Sequence, residues 1–460
     1  MTEKISRGSF RSLCMTIALL GTAWFATAQE PIKLTLKDAV SYALKENQTA
    51  RKSRLDVENA QYQIDEVRSR AFPQISGSAS LLHNAIQQLT PLPNIFGPNP
   101  NPNETILVTF GQKWSTNAGI SLNQNLFDKS VFTGLKAAKT TREFYQLNAQ
   151  LTEEQIIEQV ATTYYQVLVQ RQQAVVIDSA LENSKRVQSI LQSLFENGLA
   201  KKIDVDRISV NISNLANQRL QLTNGITIQE NQLKFLIGMP INTPVSIPDI
   251  QPGSIQPVAA LSDDTVSLRS RSEYKLLAKQ FELLNFQKEA YRAEYYPTLG
   301  LSSNYSYQGT GNSFPLGKGK TQGVNWFDFA SISLNLKIPI FNGFATKARI
   351  KQADVSMRKL EEDINNTSLA LNLAFENAKT QMNNSIITLK SQEANVKLAE
   401  EVFSNTQNNY NNGLASLTDL LDAERSLTES RNSYSTSLLN YKVAEIQLLK
   451  SKGELKSIIN

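Results

Sequence analysis

Two aspartates near the end of the chain, Asp419 and Asp422, have the residue type and spacing needed to select ions. Carboxylates three residues apart on a helix project from the same face. The pair follows Gly413, which predicts the end of one helix, and Ser416, which predicts the start of the next. If several chains surround a pore here, the pair forms stacked carboxylate rings that favour cations. Alternatively Asp419 caps its helix, whereas Asp422 lies too far into the helix to cap it.

Few other residues suggest chemistry. The sequence has one histidine, His83, and one cysteine, Cys14, so it contains no cluster of His and Cys with metal-binding spacing. We therefore expect no metal site, no cofactor and no enzymatic activity. The net charge of +5 is small for 460 residues. No basic run is present either, and so we expect no nucleic-acid partner.

Residues 1–28 have the pattern of a secretory signal peptide. Lys4, Arg7 and Arg11 precede a short apolar stretch, and small residues then form a cleavage pattern that ends at Ala28. The pattern predicts an exported mature chain without cysteine. No later segment has the apolar length of a membrane helix, so we expect the exported chain to cross a membrane only as strands that close on themselves.

The sequence around the aspartates occurs twice. The segment 197–200 reads Asn-Gly-Leu-Ala, and the segment 412–415 reads the same. Asp204 follows Gly198 at the distance at which Asp419 follows Gly413. This duplication predicts two structural repeats and a link too rich in proline to be one helix. The expected segments are 29–240 for the first repeat, 241–261 for the link, 262–455 for the second repeat and 456–460 for the tail.

Each repeat has the same predicted order of elements. A helix ends near a proline, Pro73 or Pro297, because the residue before proline favours extended geometry. Two strands with alternating apolar residues follow, separated by a loop rich in turn formers. A long helix then runs to Gly198 or Gly413, and a shorter helix returns. The predicted helices before the strands are about 35–71 and 263–294, the turn-rich loops are 90–104 and 308–325, and the long helices are about 130–196 and 344–411.

The first long helix carries an apolar stripe with mostly three-, four- and seven-residue spacing, which indicates coiled-coil packing. Its members are Ile156, Val160, Tyr164, Val167, Val175, Leu181, Val187, Ile190 and Leu194. At 1.5 Å per residue each long helix would be roughly 100 Å long.

The strands predict an oligomer. In the last strand Ile332, Leu334 and Leu336 alternate with Ser331, Ser333 and Asn335, which predicts one face toward lipid and one toward a lumen. Four strands per chain are too few to close a barrel, which needs about eight. Three chains would supply twelve strands, an even number within the known range. A soluble β-sandwich on a helical stalk is the alternative.

The chain resembles the TolC-like outer-membrane efflux proteins over essentially the whole mature sequence. The resemblance depends on the duplicated order of elements and on three motifs. These are Pro297-Thr298-Leu299, the segment from Pro339 to Gly343, and the turn from Tyr410 through Gly413 to Ala423. It implies a mainly α chain with membrane β strands, assembled as a trimer. In that trimer a 12-stranded outer-membrane β-barrel with four strands per chain continues into a long α-helical coiled-coil periplasmic tunnel.

The resemblance also implies partners and site residues. The partners are outer-membrane lipid, a periplasmic adaptor (membrane fusion protein) and an inner-membrane transporter of the RND or ABC class. Aspartates that match Asp419 and Asp422 line the periplasmic constriction in the family, and Tyr410 precedes Gly413 as it does there. The family often has an arginine two residues after that glycine, where this chain has Ala415. A latch at this tip must therefore be built differently, and Lys201 and Lys202 are candidate cations.

The sequence therefore predicts a passive exit duct for small molecules in the outer membrane of a Gram-negative bacterium, with a large periplasmic part. A type I protein-secretion duct would use the same scaffold. A trimeric stalk or adhesin without a conducting lumen is the alternative from another class of protein.

Overall fold

The computed structural model describes residues 32–95, 99–248 and 267–459. The predicted signal peptide and most of the proline-rich link lie outside these ranges. The helices are α1 (Leu36–Glu46), α2 (Gln48–Ser69), α3 (Lys129–Glu196), α4 (Lys202–Ile237), α5 (Ser272–Ala293), α6 (Ala345–Asn411) and α7 (Leu417–Lys452). The strands are β1 (Ile32–Lys33), β2 (Gln74–His83), β3 (Leu89–Asn94), β4 (Asn101–Thr109), β5 (Trp114–Phe127), β6 (Val245–Ser246), β7 (Thr298–Gly311) and β8 (Val324–Lys337).

The chain forms two compact units, and each unit takes segments from both sequence repeats. Among the described residues, the first unit comprises 32–52, 150–248, 267–271 and 369–459, and the second comprises 53–95, 99–149 and 272–368. The long helices α3 and α6 begin in the second unit and end in the first. Their predicted bounds are confirmed to within a residue or two.

The second unit contains an antiparallel sheet in the strand order β2-β5-β7-β8. Its register places Leu334 opposite Leu301 and Ser333 opposite Ser302, so the predicted alternation gives the sheet one apolar and one polar face. On the polar face the hydroxyls of Ser302 and Ser333 are 2.7 Å apart. Large side chains of the apolar face are exposed in the single chain, Ile332 at 79%.

The core of the first unit lies where α1, α3, α4 and α7 meet. Ile157, Val160 and Val167 of α3 are fully buried there. The described part of the link contributes Ile247, and Leu455 at the end of the second repeat also contributes. The predicted apolar stripe of α3 is thus buried from Ile156 to Val167. Further along the helix Val175 and Ile190 are about half exposed, so the stripe is not one continuous packing face.

The predicted helix over 35–71 is two helices. Asn47 interrupts it, because its Oδ1 accepts hydrogen bonds from the amides of Thr49 and Ala50 at 2.8 and 3.1 Å. Its Nδ2 also donates to the carbonyl of Leu236 at 2.7 Å. Asparagine is a strong N-cap, so it starts a new helix rather than continuing the old one.

Two further expectations are wrong in detail. The helix predicted from residue 263 begins at Ser272, after a 3₁₀ turn at Leu268–Ser270, and residues 263–266 lie outside the described ranges. The loop predicted over 90–104 overlaps both strands of the hairpin β3–β4, which forms in spite of Pro91 and Pro93. A two-stranded ribbon tolerates proline because each strand has a free edge where no amide is needed.

Among the described residues, no helix combines the length and apolarity required to cross a membrane.

Candidate functional site

The candidate site is built on two tight turns in the first unit. In each turn a glycine in the left-handed region ends a long helix, Gly198 at φ 76° and Gly413 at φ 73°. The amide of Leu199 donates to the carbonyl of Leu194, and the amide of Leu414 donates to that of Asn409, both at 2.8 Å. These six-residue closures satisfy the last carbonyls of α3 and α6, as the positions of the glycines predict.

The helix after the second turn begins with a complete capping box. The amide of Asp419 donates to Ser416 Oγ at 3.2 Å, and the amide of Ser416 donates to Asp419 Oδ2 at 2.9 Å. The Ser416 hydroxyl also donates to Asp419 Oδ2 at 2.7 Å. These bonds favour the ionised carboxylate, so Ser416 lowers the pKa of Asp419. Asp419 therefore caps its helix, as one of its two predicted roles requires.

The other predicted site residues differ in their surroundings. Asp422 is exposed and forms no hydrogen bond or ion pair within the described residues. Asp204 is half-buried in the first turn of α4, and the N-cap residue of that helix, Lys201, makes no side-chain hydrogen bond to it. Tyr410 is half-buried, and burial, with a smaller contribution from the nearby Asp204, raises its pKa.

An apolar cluster brings the two turns together. Leu191, Ile208 and Leu417 are buried in it, and they come from α3, α4 and α7 respectively. Tyr410 and Leu421 pack against the same cluster. The residues that the sequence placed at two separate turns therefore belong to one site.

A polar contact crosses this cluster. Arg207 Nη1 donates to Thr418 Oγ1 at 2.8 Å and lies 3.9 Å from Asp204 Oδ1. Arg207 is thus a cation that contacts both turns, whereas Lys201 and Lys202 are exposed and have no ion pair within the described ranges. One feature of the sequence could have identified Arg207 as a candidate site residue. When the repeats are aligned on Gly198 and Gly413, Arg207 matches Asp422.

The helix–strand junctions lie in the second unit. Pro73 and Pro297 each stand immediately before a strand, β2 and β7, as predicted. Helices α2 and α5 end a few residues earlier, at Ser69 and Ala293. At the second junction the Lys129 ammonium lies 3.4 Å from the centre of the Tyr296 ring.

A four-stranded sheet with membrane-length strands, continued by long helices that end in paired turns, defines a subunit of an outer-membrane channel. The sequence matches the family described as outer membrane efflux protein over residues 39–239 and 276–454, and the chain belongs to this family.

Individual relatives agree. The chain is similar to the outer membrane protein TolC of Vibrio cholerae, with 23% identity over 84% of this chain and 86% of that protein. It is also similar to the alkaline protease secretion protein AprF of Pseudomonas aeruginosa, with 23% identity over 72% and 68% of the two chains. The structure of the outer membrane protein VceC from Vibrio cholerae has the same fold, with a TM-score of 0.69, 17% identity and coverage of 91% and 96%.

Membership of the family confirms the predicted fold class and the location in the outer membrane of a Gram-negative bacterium. The chain is an exit duct of an efflux or secretion system, as predicted. The family is one of channel proteins.

Proposed function

We propose that three copies of this chain form a passive duct without enzymatic activity, whose wall in the membrane is a barrel of twelve strands. One observation carries the proposal. Strands β2 and β8 lie at the two ends of the four-stranded sheet, and each pairs with a single neighbour within the described chain. Unpaired strand edges are not tolerated in lipid, so β8 of one copy pairs with β2 of the next.

Exposed apolar side chains on the helices support the same assembly. In the first unit α4 and α6 each expose a row of large apolar residues, which an assembly would cover. The exposed residues are Ile203, Val210, Leu220, Ile228 and Phe235 on α4, and Leu369, Leu373, Ile387, Leu398 and Val402 on α6. Neighbouring copies would pack against these rows.

The tip of the helices would be the periplasmic gate. In a trimer Asp419 and Asp422 repeat three times around the axis, and their carboxylates select cations at the mouth. Arg207, Thr418, Asp204 and Tyr410 would hold the two turns together in the closed state. The duct would receive its cargo from an adaptor and an inner-membrane transporter of the RND or ABC class, which supplies the energy.

The cargo is proposed to be small molecules, in keeping with the efflux function for which the family is named. A protein cargo is the second candidate, because AprF is by its name a secretion protein for alkaline protease. We also propose that residues 29–240 and 262–455 are two structural repeats joined by the link. This duplication is compatible with either cargo.

Single-channel recording in planar bilayers tests the proposal. The purified protein should give stepwise conductance. That conductance should rise when a substitution removes a contact that holds the two turns together. A protein that inserts and stays silent under every condition would instead be a stalk or adhesin.

A further inference from the structure

A buried carboxylate lies in α7 just beyond the gate residues. Glu424 is 7% exposed, and Ser184 of α3 is fully buried beside it. Ser184 Oγ donates to Glu424 Oε2 at 2.9 Å. Asn211 Nδ2 of α4 in turn donates to Ser184 Oγ at 3.0 Å. A single polar chain thus joins three helices.

These hydrogen bonds leave one carboxylate oxygen of Glu424 without a partner. Its Oε1 is buried and has no hydrogen-bond partner within the described residues. A buried ionised carboxylate with one free oxygen is costly, whereas the neutral protonated acid costs much less. Burial raises the pKa of Glu424, and the hydrogen bond from Ser184 opposes this with a smaller effect.

Burial raises the pKa of Glu424, only the hydrogen bond from Ser184 opposes it, and no neighbouring charge contributes. On the helices around Glu424, the ionisable side chains close in sequence to Glu424 and its partners are exposed or make other contacts, and the one at the end of α6 packs in the apolar cluster. They are Asp422 and Arg425 on α7, Glu182 and Lys185 on α3, Arg207 on α4, and Tyr410 at the end of α6.

We propose that Glu424 is a positioning residue that fixes α7 against α3 and α4 while it is protonated and weakens this packing when it ionises. Its consequence for conductance rests on the proposed gate at the tip. The structural change itself does not, because it concerns helix packing within one chain.

The direction of the pH dependence follows from linkage. The packed arrangement holds the proton more tightly than an arrangement in which Glu424 reaches water, where its pKa has the ordinary value of 4.5. Packing is therefore fully favoured below that pH. It weakens as the pH rises from there through the raised pKa of the packed state. Acid should tighten the helices at the tip, and neutral pH should loosen them.

Spin labels can follow this packing. The only cysteine of the sequence, Cys14, lies in the predicted signal peptide, so a labelled pair needs no removal of a mature cysteine. Lys185→Cys and Arg425→Cys place labels on exposed positions of α3 and α7. Mature chain carrying both labels is mixed with an excess of unlabelled mature chain, so that measured distances lie within one copy. Distances are recorded from about pH 4 to about pH 8.

We expect a narrow distance distribution in acid that broadens as the pH rises. In Glu424→Gln, which mimics the protonated form, the distribution should stay narrow throughout. Glu429→Gln changes an exposed carboxylate of the same helix and should keep the pH response. Ser184→Ala removes the bond that lowers the pKa of Glu424, so the midpoint should move to higher pH.

A pH response that persists in Glu424→Gln, or that is missing from the native chain, would overturn the proposal. Conductance of the same samples separates this failure from that of the duct. A silent bilayer with an intact distance response refutes the duct alone. A conducting channel without the response refutes the role of Glu424 alone.

Discussion

Arg207 donates a hydrogen bond from Nη1 to Oγ1 of Thr418 at 2.8 Å, and this contact joins the start of α4 to the start of α7. The two residues are 211 positions apart and belong to different sequence repeats. The capping box of Ser416 and Asp419 fixes the helix turn on which Thr418 lies. The hydroxyl that accepts the hydrogen bond from Arg207 is therefore held on a capped helix start.

The first prediction is that this bond holds the tip closed. Arg207→Gln or Thr418→Val should raise the basal conductance of single channels, because either change removes the bond. The coupling should be modest, about 0.5–1 kcal/mol, since Arg207 is partly exposed to solvent. A double-mutant cycle on the closed–open equilibrium measures it.

Lys201→Gln and Lys202→Gln provide matched controls, because they remove a cation from the same turn without touching Thr418. They should leave conductance unchanged. If they open the channel as much as Arg207→Gln does, the effect comes from net charge at the tip and the hydrogen bond is irrelevant.

The second prediction concerns assembly. The mature protein in detergent should have the mass of a trimer by native mass spectrometry, because a four-stranded sheet cannot close alone. Circular dichroism should show much more helix than strand. A stable monomer with full strand content would show that the edges of β2 and β8 are satisfied some other way.

The third prediction uses the register of β7 and β8. Leu334 lies on the apolar face opposite Leu301, and Ser333 lies on the polar face opposite Ser302. Leu334→Arg should cost roughly 2–4 kcal/mol if the residue lies near the midplane of the membrane, because the charge would enter lipid. Ser333→Arg should cost far less. Unfolding titrations in lipid vesicles compare the two, and equal costs would mean that the faces are assigned wrongly.

The sequence predicted those features that depend on neighbouring residues. Gly198 and Gly413 end their helices because few other residues adopt a left-handed backbone easily, and Ser416 caps the next helix through a partner three positions away. Strand alternation likewise appears within ten residues. The site residues that the sequence did not reveal depend on contacts between distant segments. Arg207 meets Thr418, and Ser184 meets Glu424, only after the helices have packed.

Asn47 and the hairpin β3–β4 show a second limit. An asparagine within a helical pattern is compatible with one continuous helix. The side-chain amide of Asn47, however, donates to the carbonyl of Leu236, and no local sequence pattern reveals that contact. Pro91 and Pro93 argued for a loop, but a ribbon with free edges accepts them. At Asn47 a tertiary contact decided between two locally acceptable conformations, and in the hairpin the pairing of β3 with β4 did so.

The last prediction concerns the proposed mouth. Asp419→Asn with Asp422→Asn removes the charge of the carboxylates and keeps the side-chain size. The double mutant should remain a trimer yet lose cation selectivity and block by divalent ions, because the field at the mouth depends on those carboxylates. Reversal potentials across a salt gradient in planar bilayers measure the selectivity.

The single variants separate the two roles of the pair. Asp422 has no capping contact, so Asp422→Asn should change selectivity without changing thermal stability. Asp419→Ala should change selectivity and also lower thermal stability, because it breaks the hydrogen bonds to Ser416. In the native chain this cap contributes its full stability above the ordinary pKa of an aspartate. The contribution is lost as the pH falls through the lowered pKa of Asp419. The difference in stability between Asp419→Ala and the native chain should therefore shrink in acid. Unchanged reversal potentials in the asparagine double mutant would make Asp419 a cap and Asp422 a surface charge, with selectivity set elsewhere in the duct.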